Sequence, residues 1–544
     1  MMMESTLVNH RIVLEDEFDA LSIEVDAPAE DKVEKDQKYP AKWHARKVAE
    51  QLGVDYGIVF LPGQVELSYE DADMGPPFRQ RRYFYYITGA NFPGCAVTYD
   101  LSADKLTLWI PYTPPATILY FGNSPTPEQC LTKYDVHDVK YISELPKYLA
   151  SRLASVRSLY VLHATQLPKF DGFEQVKPRI EIDTTSLQPA MDRARVIKTE
   201  YEVAAIRKAN AISSRAHKRI AEAISGYTNE CQVEAAFLAS CTAENSHAQS
   251  YGIIAGSGVN ASTLHYDANN EPLAGRQTIV VDAGAEWECY TSDITRTLPL
   301  GREGKFTTDA AAIYSIVKSM QEECIERVKP GVVYRDLQLH ATLVAVKGLL
   351  ALGILRGGTA AEIFKNGTAA AFFPHGLGHH VGLDVHDVLS RDLLRPAGEN
   401  LWGKRRPVGP QTLRAMIKQA SMNYHDDSDD NSTTAGGAGT RAASRLSPSP
   451  SPSSKAPSSR TPEEDDDAGI PLGVLRPNMI VTIEPGIYFC RPYIDGYFLS
   501  KEEHRKYIDV DVLNKYAPVG GVRIEDCILV TKDGYENLST APKY

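Results

Sequence analysis

Apolar residues follow three rhythms along this chain. Short runs rich in β-branched and aromatic residues, at 58–63 (IVFLPG), 83–89 (YFYYITG), 95–100 (CAVTYD) and 105–112 (KLTLWIPY), predict strands. The segment 143–156 (SELPKYLASRLASV) spaces its apolar residues at helical intervals and predicts an amphipathic helix. Residues 1–187 therefore read as an α/β domain. The pattern changes near Arg195. A long helix is expected over 198–224, with Ile206, Ala209, Ile212 and Ile220 on its apolar face, and a second around 230–245. Strand-like segments follow, then helices over 308–328 and 334–353, then strands again. That order suits a second domain, 188–544, built from two similar halves. The third rhythm is none at all: residues 426–468 hold one large apolar residue, Leu446, among Ser, Pro, Asp, Glu, Gly and Ala. Such a stretch cannot bury enough surface to offset the entropy of ordering it. It is expected to be a disordered insertion within the second domain, because strand signals resume at Asn478.

Composition narrows the classes. With 58 basic and 70 acidic residues the formal charge is −12, which argues against a general nucleic-acid partner. The insertion alone carries nine acidic and four basic residues. The basic–aromatic cluster Arg79, Arg81, Arg82, Tyr83, Phe84, Tyr85 is then expected to be structural. No run approaches the 18 or so apolar residues of a membrane span, and the N-terminus lacks a signal-peptide pattern, so a cytoplasmic protein with no membrane partner is expected. The eight cysteines are scattered with no C-x-x-C pair, which predicts small buried hydrophobes and no disulfide scaffold or thiolate zinc site.

Candidate chemistry sits in four segments. Residues 278–300 (TIVVDAGAEWECYTSDITRTLPL) suggest a hairpin, with Asp282 near the end of its first strand and Asp293 in the middle of its second. Residues 372–387 (FFPHGLGHHVGLDVHD) hold four of the chain's 14 histidines, His375, His379, His380 and His386, among glycines that disfavour a helix. Residues 479–489 alternate as a strand that delivers Glu484 to a Pro-Gly turn, and in 520–534 a strand places Arg523 and Glu525 on one face, Val522 and Ile524 on the other. Carboxylates in such apolar sequence are expensive to bury unless they are paired or bind a cation. Asp282, Asp293, Glu484 and Glu525 with one imidazole form an oxygen-rich donor set suited to Mn²⁺ or a similar divalent ion. Two dications would balance the four negative charges, at the spacing of roughly 3.5–4 Å found in dinuclear hydrolases.

The order D-x₁₀-D, H-G-x-x-H with a further His seven residues on, E-P-G and R-I-E-D resembles the pita-bread metallopeptidases (family M24B), most closely their Xaa-Pro aminopeptidase and prolidase group. The match covers most of 190–544 apart from the insertion, and the first 187 residues are similar, less specifically, to that group's N-terminal domain through YFYYITGANFPG (83–94). The resemblance implies an α+β protein, an N-terminal α/β domain followed by a pita-bread domain with pseudo-two-fold halves. It implies two divalent ions, by family habit Mn²⁺: Asp282 on one, Asp293 and Glu525 bridging both, His379 and Glu484 completing the second. It further implies substrate contacts by His265, His375 and His386, with Arg523 and Tyr488 also at motif positions, and no role for His380. The implied reaction is removal of the first residue from peptides with proline second, by attack of a metal-bridging hydroxide. Glu484 would carry the proton and His375 or His386 would steady the oxyanion. A homodimer is common among such enzymes. Three other readings compete: a dipeptide-only prolidase, a non-catalytic binding module of the same fold, and a dinuclear phosphoesterase, which would want more basic residues around its anion.

Overall fold

The computed structural model describes residues 38–394 and 473–544. The insertion expected at 426–468 lies outside the described residues, as do the first 37 residues of the expected N-terminal domain. Strands β1 (Ile58–Pro62), β2 (Ala96–Asp100), β3 (Lys105–Ile110), β4 (Asp138–Tyr141), β5 (Ser158–Tyr160) and β6 (Glu181–Asp183) form one mixed sheet in the order β4-β3-β2-β1-β5-β6. Side-chain alternation along these strands sends each face to a different partner. Val59, Leu61, Val97 and Leu108 cluster with Ala41, Ala45 and Val48 of the helix Ala41–Leu52. Ile58, Phe60, Ala96 and Trp109 cluster with Leu145, Leu149 and Leu153, the i, i+4, i+8 stripe of the helix Leu145–Val156.

One expectation in this region is corrected. The aromatic run at 83–89 is not a strand: Arg82–Tyr86 is a short helix, Tyr85 N–H bonds the Arg81 carbonyl, and Gly89 leaves it with φ +68°. Phe84, Tyr85, Tyr86 and Ile87 are all buried, so the segment is enclosed on every side, and this surrounding packing overrides aromatic β-propensity.

Beyond residue 199 two assemblies of similar build follow. The helices Glu200–Ala223 and Glu230–Ala243 pack on a sheet of β8 (Ile254–Ser257), β9 (Thr278–Asp282) and β12 (Thr295–Pro299), while β7 (Ala248–Gln249), β10 (Ala285–Trp287) and β11 (Tyr290–Thr291) form a small side sheet. The helices Thr308–Ile325 and Tyr334–Ala351 pack on β13 (Ile480–Ile483), β16 (Asp526–Val530) and β17 (Tyr535–Asn537), with β14 (Gly486–Tyr488) and β15 (Gly521–Arg523) paired beside them. Ile279 and Val281 bury under the first helix pair, and Val481, Ile483, Val522, Ile524 and Ile528 under the second. Alternation then points Asp282, Glu484, Arg523 and Glu525 away from the helices. The halves meet at Thr295, which pairs with Asp282 across the β9–β12 ladder and forms a bridge with Glu525.

The predicted strands are interrupted where the carboxylates stand. Asp293 lies between β11 and β12 rather than within one strand; Glu484 and Pro485 separate β13 from β14; Ile524 and Glu525 separate β15 from β16. The 479–489 segment is buried almost throughout instead of alternating, because the second helix pair covers one face and the first part of the chain the other.

Candidate active site

Five side chains from four distant segments converge in the groove between the halves. Asp282 accepts from Tyr251 Oη on Oδ1 at 2.6 Å and from Arg523 Nη2 on Oδ2 at 2.7 Å. Tyr251 Oη also lies 2.5 Å from Asp293 Oδ1. Thr295 Oγ1 donates to Glu525 Oε2 at 2.7 Å, while Glu525 Oε1 is buried with no hydrogen-bond partner. His379 Nε2 stands 3.3 Å from Asp293 Oδ2, 3.4 Å from Glu484 Oε1 and 3.8 Å from Glu525 Oε1.

The tautomer of His379 follows from its other nitrogen. Nδ1 is 3.0 Å from the His380 carbonyl, which can only accept, so Nδ1 carries the proton. Nε2 is left to face three carboxylates, and its lone pair is the one a cation among them would use. A cation is what such a cage lacks. The donor atoms fall into overlapping triads, each within 4.8 Å: Asp282, Asp293 and Glu525; His379, Glu484 and Glu525; and Asp293, His379 and His386. Asp293, Glu525 and His379 each occur in two of the three, so the triads merge into one continuous cage. The set fits a pair of divalent cations in ligand type, charge and the orphaned Glu525 oxygen.

Electrostatics agree. Burial, then Asp282 and Glu484, raises the Asp293 carboxyl well above its usual range; burial, then Asp293 and Asp282, does the same to Glu525. Burial and Glu525 push Glu484 up to about 8. Burial also raises Asp282, but Arg523 and the Tyr251 hydroxyl outweigh it and hold this one carboxyl below its usual value.

The other predicted residues line the same groove with differing freedom. His375 Nδ1 faces the Gly376 carbonyl at 2.8 Å and Nε2 faces Tyr488 Oη at 2.8 Å, whose oxygen accepts from Arg523 Nη1 at 2.9 Å. Both ring nitrogens are thus engaged within the protein, and burial, with Arg523 adding, lowers this imidazole to about 4. His386 is exposed, its ring edge-on to His379 at 4.3 Å between centroids. His265 is exposed on the turn after β8, near enough to act on the charge of both His375 and His386. His380 points away, buried, with Nδ1 unpartnered.

Sequence reasoning missed Tyr251, Thr295 and the cluster Arg195–Asp387–Lys198. Tyr251 and Thr295 carry no motif of their own. Asp387 stood inside the histidine-rich stretch, but its partners lie 192 and 189 residues away. The expected structural role of the basic cluster has a concrete form: Arg82 pairs with Glu286 at 2.5 Å and Arg79 with Asp384 at 2.9 Å.

Comparison with known proteins gives the same outline. The model of metallopeptidase family M24 matches residues 204–408 and 459–532, and that of the aminopeptidase P N-terminal domain matches residues 43–160. A Colletotrichum graminicola protein called "Probable Xaa-Pro aminopeptidase" is 52% identical over 99% of this chain and 97% of its own. One of the same name from Pyricularia oryzae is 43% identical over 98% and 96%. Among solved structures, zinc-substituted E. coli aminopeptidase P in complex with product superposes with TM-score 0.67 at 24% identity, over 93% of this chain and 97% of that one. It shows a shared fold.

Proposed function

Since this chain belongs to metallopeptidase family M24, we propose that it is a metal-dependent Xaa-Pro aminopeptidase, releasing the first residue of peptides whose second residue is proline. The observation that carries this reading is the buried cage of Asp282, Asp293, His379, Glu484 and Glu525, set in a chain similar over nearly its whole length to relatives bearing that name. We take 1–187 as the N-terminal domain and 188–544 as the catalytic one; the two matched regions, 43–160 and 204 onward, support that division.

In this reading Asp282 would hold one cation and His379 and Glu484 the other, with Asp293 and Glu525 available to both. When bound, the cations supply Lewis acidity toward water and toward the scissile carbonyl. Oxygen-rich ligation with one imidazole favours Mn²⁺. The chain's own groups do the rest. A water oxygen attacks the carbonyl carbon of the first residue while its proton passes to the Glu484 carboxylate. The carbon–nitrogen bond breaks as Glu484 returns the proton to the prolyl nitrogen. The products are a free amino acid and a peptide beginning with proline. His386, exposed to the groove, steadies the developing oxyanion. His375, with both nitrogens engaged, supports Tyr488 and Arg523 instead, and His265 contacts substrate. An Xaa-Pro bond has no N–H, so proteases that need that donor leave it intact. The eight unpaired cysteines support a cytosolic setting.

The test is hydrolysis by chelator-stripped protein reloaded with Mn²⁺, on Xaa-Pro-Xaa peptides, Xaa-Pro dipeptides and proline-free controls. Release of the first residue from the longer proline peptides is expected. Cleavage of dipeptides alone would make it a prolidase, and metal uptake without hydrolysis a binding module.

A further inference from the structure

The stretch that supplies His379 and His386 is shaped by a carboxylate for which the proposed chemistry has no use. Asp387, directly after His386, is buried, and so are its two cationic partners. Arg195 Nη2 donates to Oδ1 at 2.7 Å and Lys198 Nζ to Oδ2 at 2.8 Å. Arg195 Nη2 also reaches Asp384 Oδ2 at 3.3 Å, on the other side of His386. The backbone folds tightly around this centre: a Cβ on Gly382 would stand 2.2 Å from Asp387 Oδ2 and 3.0 Å from Lys198 Nζ. Asp387 N–H donates to the His380 carbonyl at 2.9 Å, the same oxygen that takes the proton of His379 Nδ1.

A buried ion cluster is weak support for stability, since apolar side chains of similar volume commonly do as well. Its value here is of another kind. The stretch carries Gly376, Gly378 and Gly382, which leave the backbone many conformations, yet His379 Nε2 must face three carboxylates. We propose that Arg195, Asp387 and Lys198 act as a positioning cluster: by clamping the 382–387 turn they hold the His380 carbonyl on His379 Nδ1, so that Nε2 stays aimed into the cage, and they seat His386 beside it. The inference rests on the reading of the cage as a metal centre. It adds that the centre is aligned from Arg195 and Lys198, 192 and 189 residues distant in sequence.

The experiment compares wild type, Asp387→Asn and the charge-balanced pair Asp387→Asn with Lys198→Met, using the full chain. Mn²⁺ and Co²⁺ titrations by calorimetry, the visible spectrum of the Co²⁺ form, kcat, and thermal unfolding in chelator are recorded for each. Loss of an outer partner of a metal-ligating histidine typically costs about 10–100-fold in metal affinity or activity. That loss is expected in the weaker metal-binding step, with an altered Co²⁺ spectrum and a lower kcat. Unfolding in chelator should stay within a few degrees of wild type for the charge-balanced pair. Arg207→Ala, which removes the surface pair with Glu536, should change none of these. A shift in unfolding temperature with unchanged metal affinity and spectrum would overturn the proposal, as would failure of the charge-balanced pair to fold. Wild type that binds neither ion would instead overturn the metal-centre reading itself.

Discussion

Metal-stripped protein should lose stability as pH rises from 7 to 8, and the loss should trace to the cage. Without cations, Glu484 is pushed up to about 8 by burial and Glu525, and burial and neighbouring carboxylates raise Asp293 and Glu525 well above the usual carboxylate range. In the unfolded chain these carboxyls titrate near 4. Between those limits the native state holds protons that the unfolded state has released. Stability from such groups is fully present below the unfolded value and is lost as pH climbs through the folded one. Each proton held only by the native state contributes a slope of about −1.4 kcal/mol per pH unit. The histidines work in the other direction, but lower down. Burial depresses His217 and His375 to about 4 and His380 to about 3, so they are neutral in both states above roughly pH 7. Six buried thiols, raised by burial, add a loss of the same sign toward pH 8, equal in wild type and in a Glu484 variant.

Urea unfolding in chelator at half-unit steps would give the slope. Wild type should fall, and Glu484→Gln should fall less steeply by about 1 kcal/mol over that unit, the integral for a carboxyl that titrates near 8 in the native state and near 4 unfolded. Reloading with Mn²⁺ displaces the protons, so the stabilisation by metal should grow with pH. A flat or rising profile for the stripped wild type, or an identical slope in Glu484→Gln, would refute the picture of a cage held together by protons when cations are absent.

Three further outcomes are expected. Asp293→Ala should abolish binding of at least one ion, by elemental analysis, and hydrolysis with it, while circular dichroism stays native. Gly382→Ala forces a methyl against the Asp387 carboxylate at 2.2 Å and should cost about 1–3 kcal/mol in unfolding free energy, together with weaker metal binding by calorimetry. Arg523→Lys cannot reproduce a guanidinium that bonds Asp282 and Tyr488 at once; activity should fall about 10–100-fold with the fold retained.

What could be read from sequence followed from chemistry that is local. Each carboxylate announced itself as a charge inside apolar β-rich sequence, and the histidines by their density between glycines. What escaped depended on packing. The aromatic run at 83–89 has strand composition, yet Arg82 must reach Glu286 and Tyr85 must pack beside Tyr39 and Tyr290, and a helical turn meets those demands. Tyr251 is one of 28 tyrosines, and its place between Asp282 and Asp293 exists only once β7 and β8 flank it. Arg195 and Lys198 carry no motif of their own, and the residue that neutralises them comes 192 and 189 positions later.

The breaks in the strands are the part of the design that period-two reasoning could not supply. Asp282 is the last residue of β9, Asp293 lies between β11 and β12, Glu484 follows β13, and Glu525 lies between β15 and β16. Side chains on an unbroken antiparallel sheet stand side by side, with facing Cβ atoms roughly 4.5–5.5 Å apart and diagonal ones further; four carboxylates placed so would form a row, not a cage. Where the ladder stops, the backbone can turn and carboxylates from separate strands can aim at one point. Thr295 sets the closest approach, since it pairs with Asp282 on one side and with Glu525 on the other. The residues just before these carboxylates, such as Val281, Ile483 and Ile524, remain buried under their helix pairs. Burial on the helix side thus keeps the backbone rigid while like charges crowd on the other side. A substitution under the helices that leaves the ligands untouched, such as Ile483→Ala, should therefore weaken metal binding as well as the fold, because it loosens the frame that holds these carboxylates closer together than their charges favour.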